Sequence, residues 1–332
     1  MSVLVTGGAG YIGSHMVLAL ADAGEDVVVI DNLTTGFEWL IDNRVTFVSG
    51  DVSDSALVGR IIAEHGIEAV IHFAGSIVVP ESVENPLKYY KNNTANSRDL
   101  IEACVAGGVK HFIFSSTAAV YGMVGLEPVA EDAVLNPVSP YGRSKLMTEW
   151  MLADVAAAHP MTYGVLRYFN VAGADPHLRS GQSAAGATHL IKVAVQTALG
   201  LRDKMSVFGE DYPTPDGTCV RDYIHVSDLV SAHAVLLDHL RKGGESTTMN
   251  CGYGRGFSVD QVIDTVKSVT GVDFTVERGP RRPGDPASIV ASANRIRSMG
   301  WTPAHDDLNE IVDLAYRWEQ YLNTRNDRPS IY

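Results

Sequence analysis

Residues 2–15 read SVLVTGGAGYIGSH. A short apolar run rich in valine, residues 2–6, drops without a break into glycines at 7, 8, 10 and 13. The next segment, through HMVLALADAG, has helical periodicity and closes on Gly24, where a helix end favours glycine. A strand, a glycine turn and a helix in that order form a phosphate-gripping unit. Gly8, Gly10 and Gly13 satisfy G-x-G-x-x-G, and Gly7, Gly10 and Gly13 satisfy the G-x-x-G-x-x-G variant. Such glycines permit a tight turn, close approach of backbone to a pyrophosphate, and close helix–strand contact. The helix N-terminus adds free N–H groups and a partial positive charge.

Further apolar runs repeat the pattern. Residues 26–31, 45–50, 68–75, 110–117 and 162–170 each read as buried strands, with helical segments such as DSALVGRIIAEHG between them. Strand–helix alternation of this kind predicts an α/β fold with a parallel sheet covered on both faces. Asp31 ends the second strand, 18 residues past Gly13, where a carboxylate can bind ribose hydroxyls and repel an additional phosphate. Asp51 follows the third strand and can accept from an adenine amino group, while Phe73, Ala74 and Gly75 close the fourth where backbone passes close to a ligand. Together these predict a Rossmann-type doubly wound sheet that binds NAD.

After residue 170 the texture becomes loop-rich, which predicts a smaller α/β substrate-binding lobe. Residues 1–172 are assigned to the NAD-binding domain, rejoined by 222–252, and residues 173–221 and 253–332 to the smaller lobe. The helix expected over 225–244 and the strand-like TTMNCG are the elements that return to the main sheet.

Composition narrows the function. The 39 acidic and 26 basic residues give a net charge of −13, which argues against a general nucleic-acid binder. Cys104, Cys219 and Cys251 are too far apart for a disulfide framework or a CxxC metal site, and the scattered histidines show no metal-ligand spacing. No charged and apolar leader opens the sequence, and no window has the roughly 18 uncharged apolar residues of a membrane span. The expectation is a cytoplasmic protein with no metal.

The chemistry is expected in SPYGRSKLMTEWM, residues 139–151. On a helix beginning near Pro140, Tyr141 and Lys145 lie one above the other and face the same cleft. That spacing alone is weak, but the helix comes after the strand FIFSST, which ends in hydroxyl residues, and parallel sheets gather their chemistry at such strand ends. A phenol has an ordinary pKa of about 10. Lys145 and a nicotinamide cation beside it are expected to lower that value toward neutrality, where a general base works best. Thr117 is placed to hydrogen-bond the same substrate hydroxyl.

These features resemble the extended short-chain dehydrogenase/reductase family. More narrowly, VTGGAGYIGSH, VIHFAG, PESVENPLKYYKNN, FIFSSTAAVYG, SPYGRSKLMTEW, LRYFNVAGA, FGEDYPTPDGTCVRDYIHVSDL and RRPGD resemble its UDP-glucose 4-epimerase branch, from residue 3 to about residue 290. The resemblance implies transient oxidation at C4 of a UDP-sugar, with Tyr141 as base and NAD as hydride carrier. It also implies cofactor contacts from Tyr11, Ile12, Asn32, Val52, Asn92, Ser115, Tyr168 and the catalytic pair. For the sugar nucleotide it implies Arg221 and Arg282 on the diphosphate, Asp285 on ribose, and Phe208 with Ser206 beside uracil. Asn170, Leu190 and Tyr223 also line the ligand, and a homodimer through helices of the NAD lobe is implied.

Several positions depart from the family. Ile77 stands where many members carry a lysine that approaches the cofactor, Thr188-His189 replaces Asn-Asn, and Thr117 replaces a serine. His189 is therefore a candidate ligand or a polar loop residue. Ile289 stands where side-chain bulk governs admission of N-acetylated sugars. Epimerases of other UDP-sugars and a non-catalytic NAD-binding regulator are the alternatives. A dehydratase is disfavoured, because Ala118-Ala119 stand where an Asp-Glu pair would come after the hydroxyl residue.

Overall fold

The computed structural model describes residues 2–184, 186–282 and 284–325. Seven parallel strands form the main sheet, in the spatial order Thr247–Cys251, Thr162–Tyr168, His111–Thr117, Ile67–His72, Ser2–Thr6, Asp26–Asp31 and Thr46–Ser49. The order reverses beside the first strand, so the crevice of a doubly wound sheet opens above Ser2–Thr6 and its neighbour Ile67–His72.

The apolar runs become strands because both faces are buried. Val3 and Val5 point to one face and Leu4 to the other, and all three are fully buried. On the first face the helices Tyr11–Asp22 and Val226–Arg241 contribute Met16, Val17, Leu229 and Leu236 to one core. On the second, the helices Ser55–His65, Asn96–Ala106 and Pro140–Ala158 contribute Ile61, Leu100 and Leu152 to another. Each such side chain removed from water contributes roughly 1.5–3 kcal/mol before entropy is counted.

Element ends obey local chemistry. Asp54 caps Ser55–His65 by accepting from Leu57 N, and Gly66 ends that helix with φ 59°. Ser139 caps Pro140–Ala158 by accepting from Gly142 N at 3.2 Å, with Pro140 in the first turn. The helix expected over 225–244 spans Val226–Arg241.

Two strands end earlier than their apolar runs. The run 68–75 leaves the ladder after His72, and Phe73 N donates to Thr6 O as the chain passes the glycine turn. The run 162–170 breaks at Phe169. Its first part, Thr162–Tyr168, lies in the main sheet, and Asn170–Ala172 pairs with Val220–His225 in a second sheet. That smaller sheet also holds Gly256–Ser258 and Ser288–Ile289. The helix Val226–Arg241 and the strand Thr247–Cys251 then carry the chain back to the main sheet. Beside the second sheet the helices Leu190–Ala198, Val259–Thr270 and Leu308–Asn323 pack through Ile191, Val195, Val262 and Ile311. Among the described residues no helix is long and apolar enough to cross a membrane.

Candidate active site

The glycine turn has steric reasons for its composition. Gly7 sits at φ +69°, and a Cβ there would meet Ala74 N at 2.7 Å. A Cβ on Gly13 would meet Gly7 O at 2.1 Å, so any larger residue forces the turn off the helix. Among the described residues a Cβ on Gly10 would meet Gly7 O at 3.2 Å and no other non-adjacent group within 4 Å, which leaves that flank of the backbone open. The helix Tyr11–Asp22 has no side-chain cap and no acidic residue in its first turn. No side chain of that turn therefore competes with an anion for its amide donors. Ile12 and Gly13 belong to that turn, and the Tyr11 side chain turns away, its hydroxyl donating to Gly173 O at 2.7 Å.

The other predicted cofactor residues gather along the same edge. Asp31 accepts from Ala9 N at 3.0 Å and Leu33 N at 2.8 Å, which aims its carboxylate beside the turn. Asp51 accepts from Asn32 Nδ2 and from the Ser53 backbone and hydroxyl, and these bonds outweigh burial and hold its pKa below the usual carboxylate value. Val52, next in the chain, is buried. Ala74 N lies 3.4 Å from Thr6 Oγ1, and a Cβ on Gly75 would meet Asn93 Oδ1 at 3.0 Å. Asn92 donates to Ser76 Oγ at 2.9 Å. Ile77 is half-exposed, 52%, and supplies no charge. This backbone cradle, open helix end and acidic strand terminus fit a dinucleotide.

Tyr141 and Lys145 stack on the buried face of Pro140–Ala158, against the ends of His111–Thr117 and Thr162–Tyr168. Lys145 Nζ donates to Ser115 O at 3.0 Å and lies 4.9 Å from the centre of the Phe114 ring. Ser115 Oγ in turn donates to Tyr168 OH at 2.8 Å. Thr117 Oγ1 accepts from Ala119 N at 3.1 Å, and its hydroxyl lies beside the Tyr141 phenol. Burial lowers the Lys145 pKa to about 8, opposed by the charge of Glu149.

The expected lowering of the Tyr141 pKa is not found in the chain by itself. Burial dominates and pushes the phenol above its ordinary value, opposed by the neighbouring Thr117 hydroxyl. The Lys145 ammonium donates to the Ser115 carbonyl; a cationic ring bound beside the phenol would add a second positive charge to favour its ionised form.

Of the residues expected to hold the sugar nucleotide, Asn170, Arg221 and Tyr223 lie on the second sheet, while Ser206 and Phe208 lie on a separate strand, Met205–Phe208, which pairs with Val276–Gly279. Arg221 and Tyr223 are two apart on Val220–His225 and share a face; Ile289 is opposite Arg221 and Asn170 opposite Tyr223. Arg221 Nη2 pairs with Asp285 Oδ1 at 2.5 Å. Arg282 stacks over Phe208 at 3.9 Å, and Ser206 shares the outward face of the strand Met205–Phe208. His189 is the residue before the helix Leu190–Ala198; its ring lies 3.4 Å from Gln182 Nε2, and burial lowers its pKa.

The sequence reading missed four residues at the site. Tyr89 packs edge-on to Tyr141 at 6.4 Å, and Asn93 donates to Ser144 Oγ at 3.1 Å. Ser116 and Glu149 meet behind the catalytic pair. Asn93 sits in a π-helical turn, Tyr90–Ala95, a departure from regular helix often found at functional sites. Its signal was the Asn-Asn-Thr run, poor helix formers in an otherwise helical stretch.

Fold and cleft define a dinucleotide-dependent enzyme with a tyrosine–lysine pair and an arginine-bearing second lobe. The chain belongs to the NAD dependent epimerase/dehydratase family, whose model matches residues 3–252. It is 56% identical to the UDP-glucose 4-epimerase of Azospirillum brasilense over 96% of this chain and 92% of that one. The UDP-glucose 4-epimerase of Brucella ovis, solved in complex with NAD, superposes with a TM-score of 0.93 at 42% identity, covering 95% of this chain and 97% of that one. That of Bifidobacterium longum, solved with NAD+ and UDP, gives 0.91 at 37% identity over 97% and 98%.

Proposed function

We infer that the protein is an NAD-dependent 4-epimerase that interconverts UDP-glucose and UDP-galactose. The observation that carries this is the placement of the buried Tyr141–Lys145 pair and the Thr117 hydroxyl at the strand ends, between the glycine cradle and the Arg221 strand.

Tyr141 takes the proton from the sugar 4-hydroxyl, while Thr117 holds that hydroxyl in line. NAD, when bound, supplies a hydride acceptor and donor for C4 and a positive charge beside the phenol. Lys145, held by the Ser115 carbonyl, keeps a second positive charge within reach of the phenolate as it forms. When the 4-keto sugar has turned its other face to the cofactor, Tyr141 returns the proton to the new hydroxyl. The same residue is base and then acid, so the protein ends each turnover unchanged.

The nucleotide must stay fixed while the hexose turns. Arg221 and Arg282 grip the diphosphate, as forked guanidiniums suit bidentate phosphate contacts. Asp285 binds ribose, and Phe208, Ser206, Leu190 and His189 bound the uracil side. Asn170 and Tyr223 border the hexose. Residues 1–172 with 222–252 serve as the NAD domain and the remainder as the UDP-sugar lobe. We place the enzyme in the cytoplasm as a homodimer joined through helices of the NAD lobe.

The test is an assay on a panel of UDP-sugars without added NAD. Interconversion of the two hexoses is the expected result. Turnover confined to UDP-N-acetylhexosamines, UDP-pentoses or UDP-glucuronate would overturn the substrate assignment, and no turnover on any member would overturn the activity.

A further inference from the structure

Behind the catalytic pair, and touching neither cofactor nor sugar positions, lies a buried ion pair that proton and hydride transfer do not use. Tyr141, Lys145 and Glu149 are spaced four apart on Pro140–Ala158, so Glu149 continues the same stripe one turn deeper. Its carboxylate is held from three sides. Arg167 Nε lies 3.1 Å from each carboxylate oxygen, and Nη2 donates to Oε2 at 2.6 Å. Ser116 Oγ donates to Oε1. Arg167 Nη1 reaches on to Tyr121 OH at 3.1 Å, which donates to Asn250 Oδ1 at 2.7 Å.

Both charged side chains are only 6% exposed. A buried ion pair often adds no stability over apolar residues of the same volume, because desolvation offsets the attraction. Stability alone therefore does not account for this one. Its anchor points are telling: Ser116 lies between Ser115, which holds Lys145, and Thr117, whose hydroxyl lies beside Tyr141, and Arg167 precedes Tyr168.

We propose that Glu149, clamped by Arg167 and Ser116, is a positioning residue for the catalytic pair. It seats the helix against the two strand ends and places a fixed negative charge one turn behind the Lys145 ammonium. This rests on the epimerase roles of Tyr141 and Lys145.

The other groups around Lys145 do not supply that charge. His72, on the neighbouring strand, is buried and neutral between Thr6 and Ser97. Burial pushes up the phenols of Tyr168 and Tyr89, so neither offers a negative charge. Asn93, near Gly75, is uncharged. Among the described residues the further cation bonded to Glu149 is Arg167, whose charge is engaged by that carboxylate. Glu149 thus opposes the desolvation that draws the lysine proton away.

The experiment compares kcat and KM against pH for wild type, Glu149→Gln and the double variant Glu149→Met/Arg167→Met, each as the purified holoenzyme. Gln keeps the shape and removes the charge, and the Met pair removes both charges without stranding either. Both variants are expected to lose activity on the alkaline side at a pH lower by about one unit, with KM within about twofold of wild type. A purely structural role would lower folding stability and leave that limb in place. An unmoved limb in whichever variant folds overturns the proposal, as does failure of both to fold. An inactive wild type would instead overturn the epimerase reading.

Discussion

The Lys145 ammonium and the Ser115 carbonyl are 3.0 Å apart, and this bond helps tie the helix Pro140–Ala158 to the strand that ends in Thr117. Because Tyr141 is four residues earlier on that helix, the phenol inherits its place from the same anchor. The proton-transfer group is thus set by two regular elements, not by a loop.

Removing the phenolic hydroxyl tests the mechanism most directly. Tyr141→Phe keeps the ring that packs against Tyr89 and loses the proton carrier. We expect kcat to fall by about 10²–10⁴-fold with bound NAD retained. Turnover equal to wild type would defeat the assigned role.

The glycine turn makes a steric prediction. In Gly13→Ala the new methyl group meets the Gly7 carbonyl oxygen, and turn and helix must separate. The expected outcome is loss of NAD from the purified protein, read by absorbance after acid extraction, with a stability cost of about 1–3 kcal/mol. A variant carrying full NAD at wild-type stability would show that the cradle is not needed.

Arg221 is engaged by Asp285 and faces the proposed diphosphate position. Arg221→Ala is expected to raise KM about 10- to 100-fold with a smaller effect on kcat, the size of a lost hydrogen bond to a charged group. Arg221→Lys should recover only part of this, since an ammonium cannot form the bidentate contact. A lysine variant with wild-type KM would contradict the geometry.

Four buried histidines make the fold sensitive to acid. Burial is the main cause that lowers His15 and His233 to about 4 and His72 and His225 to about 3, from 6.5. Below about pH 6.5 the unfolded chain takes up protons that the folded chain refuses, so stability is full above that pH and falls toward pH 4. Each histidine contributes a loss of about 1.4 kcal/mol per pH unit within that window. Urea midpoints at pH 7.5 and pH 5.5 measure it, and equal midpoints would refute the account.

Much of the fold was legible because its signals are local. Runs such as SVLVT and DVVVID have one stable use, as strands buried on both faces, and the glycines just past Thr6 are demanded by contacts within the turn and with the neighbouring strand end. The Tyr141–Lys145 pair was legible for a similar reason, since one helix sets its geometry. The run 162–170 was misjudged as one strand because nothing local distinguishes Tyr168 from Asn170; only pairing with His111–Thr117 on one side and Val220–His225 on the other divides it.

What could be read along the chain was the strand–turn–helix order, the dinucleotide cradle and the spacing that puts Tyr141 and Lys145 on one helix face. Tertiary structure alone decided the electrostatics of those residues. In the chain alone burial sends the Tyr141 phenol upward and draws Lys145 down to about 8, and the fold brings Glu149 and Arg167 together across 18 residues of chain. Charge interactions and desolvation depend on distance and exposure in space, and neither is written in the spacing of residues along the chain.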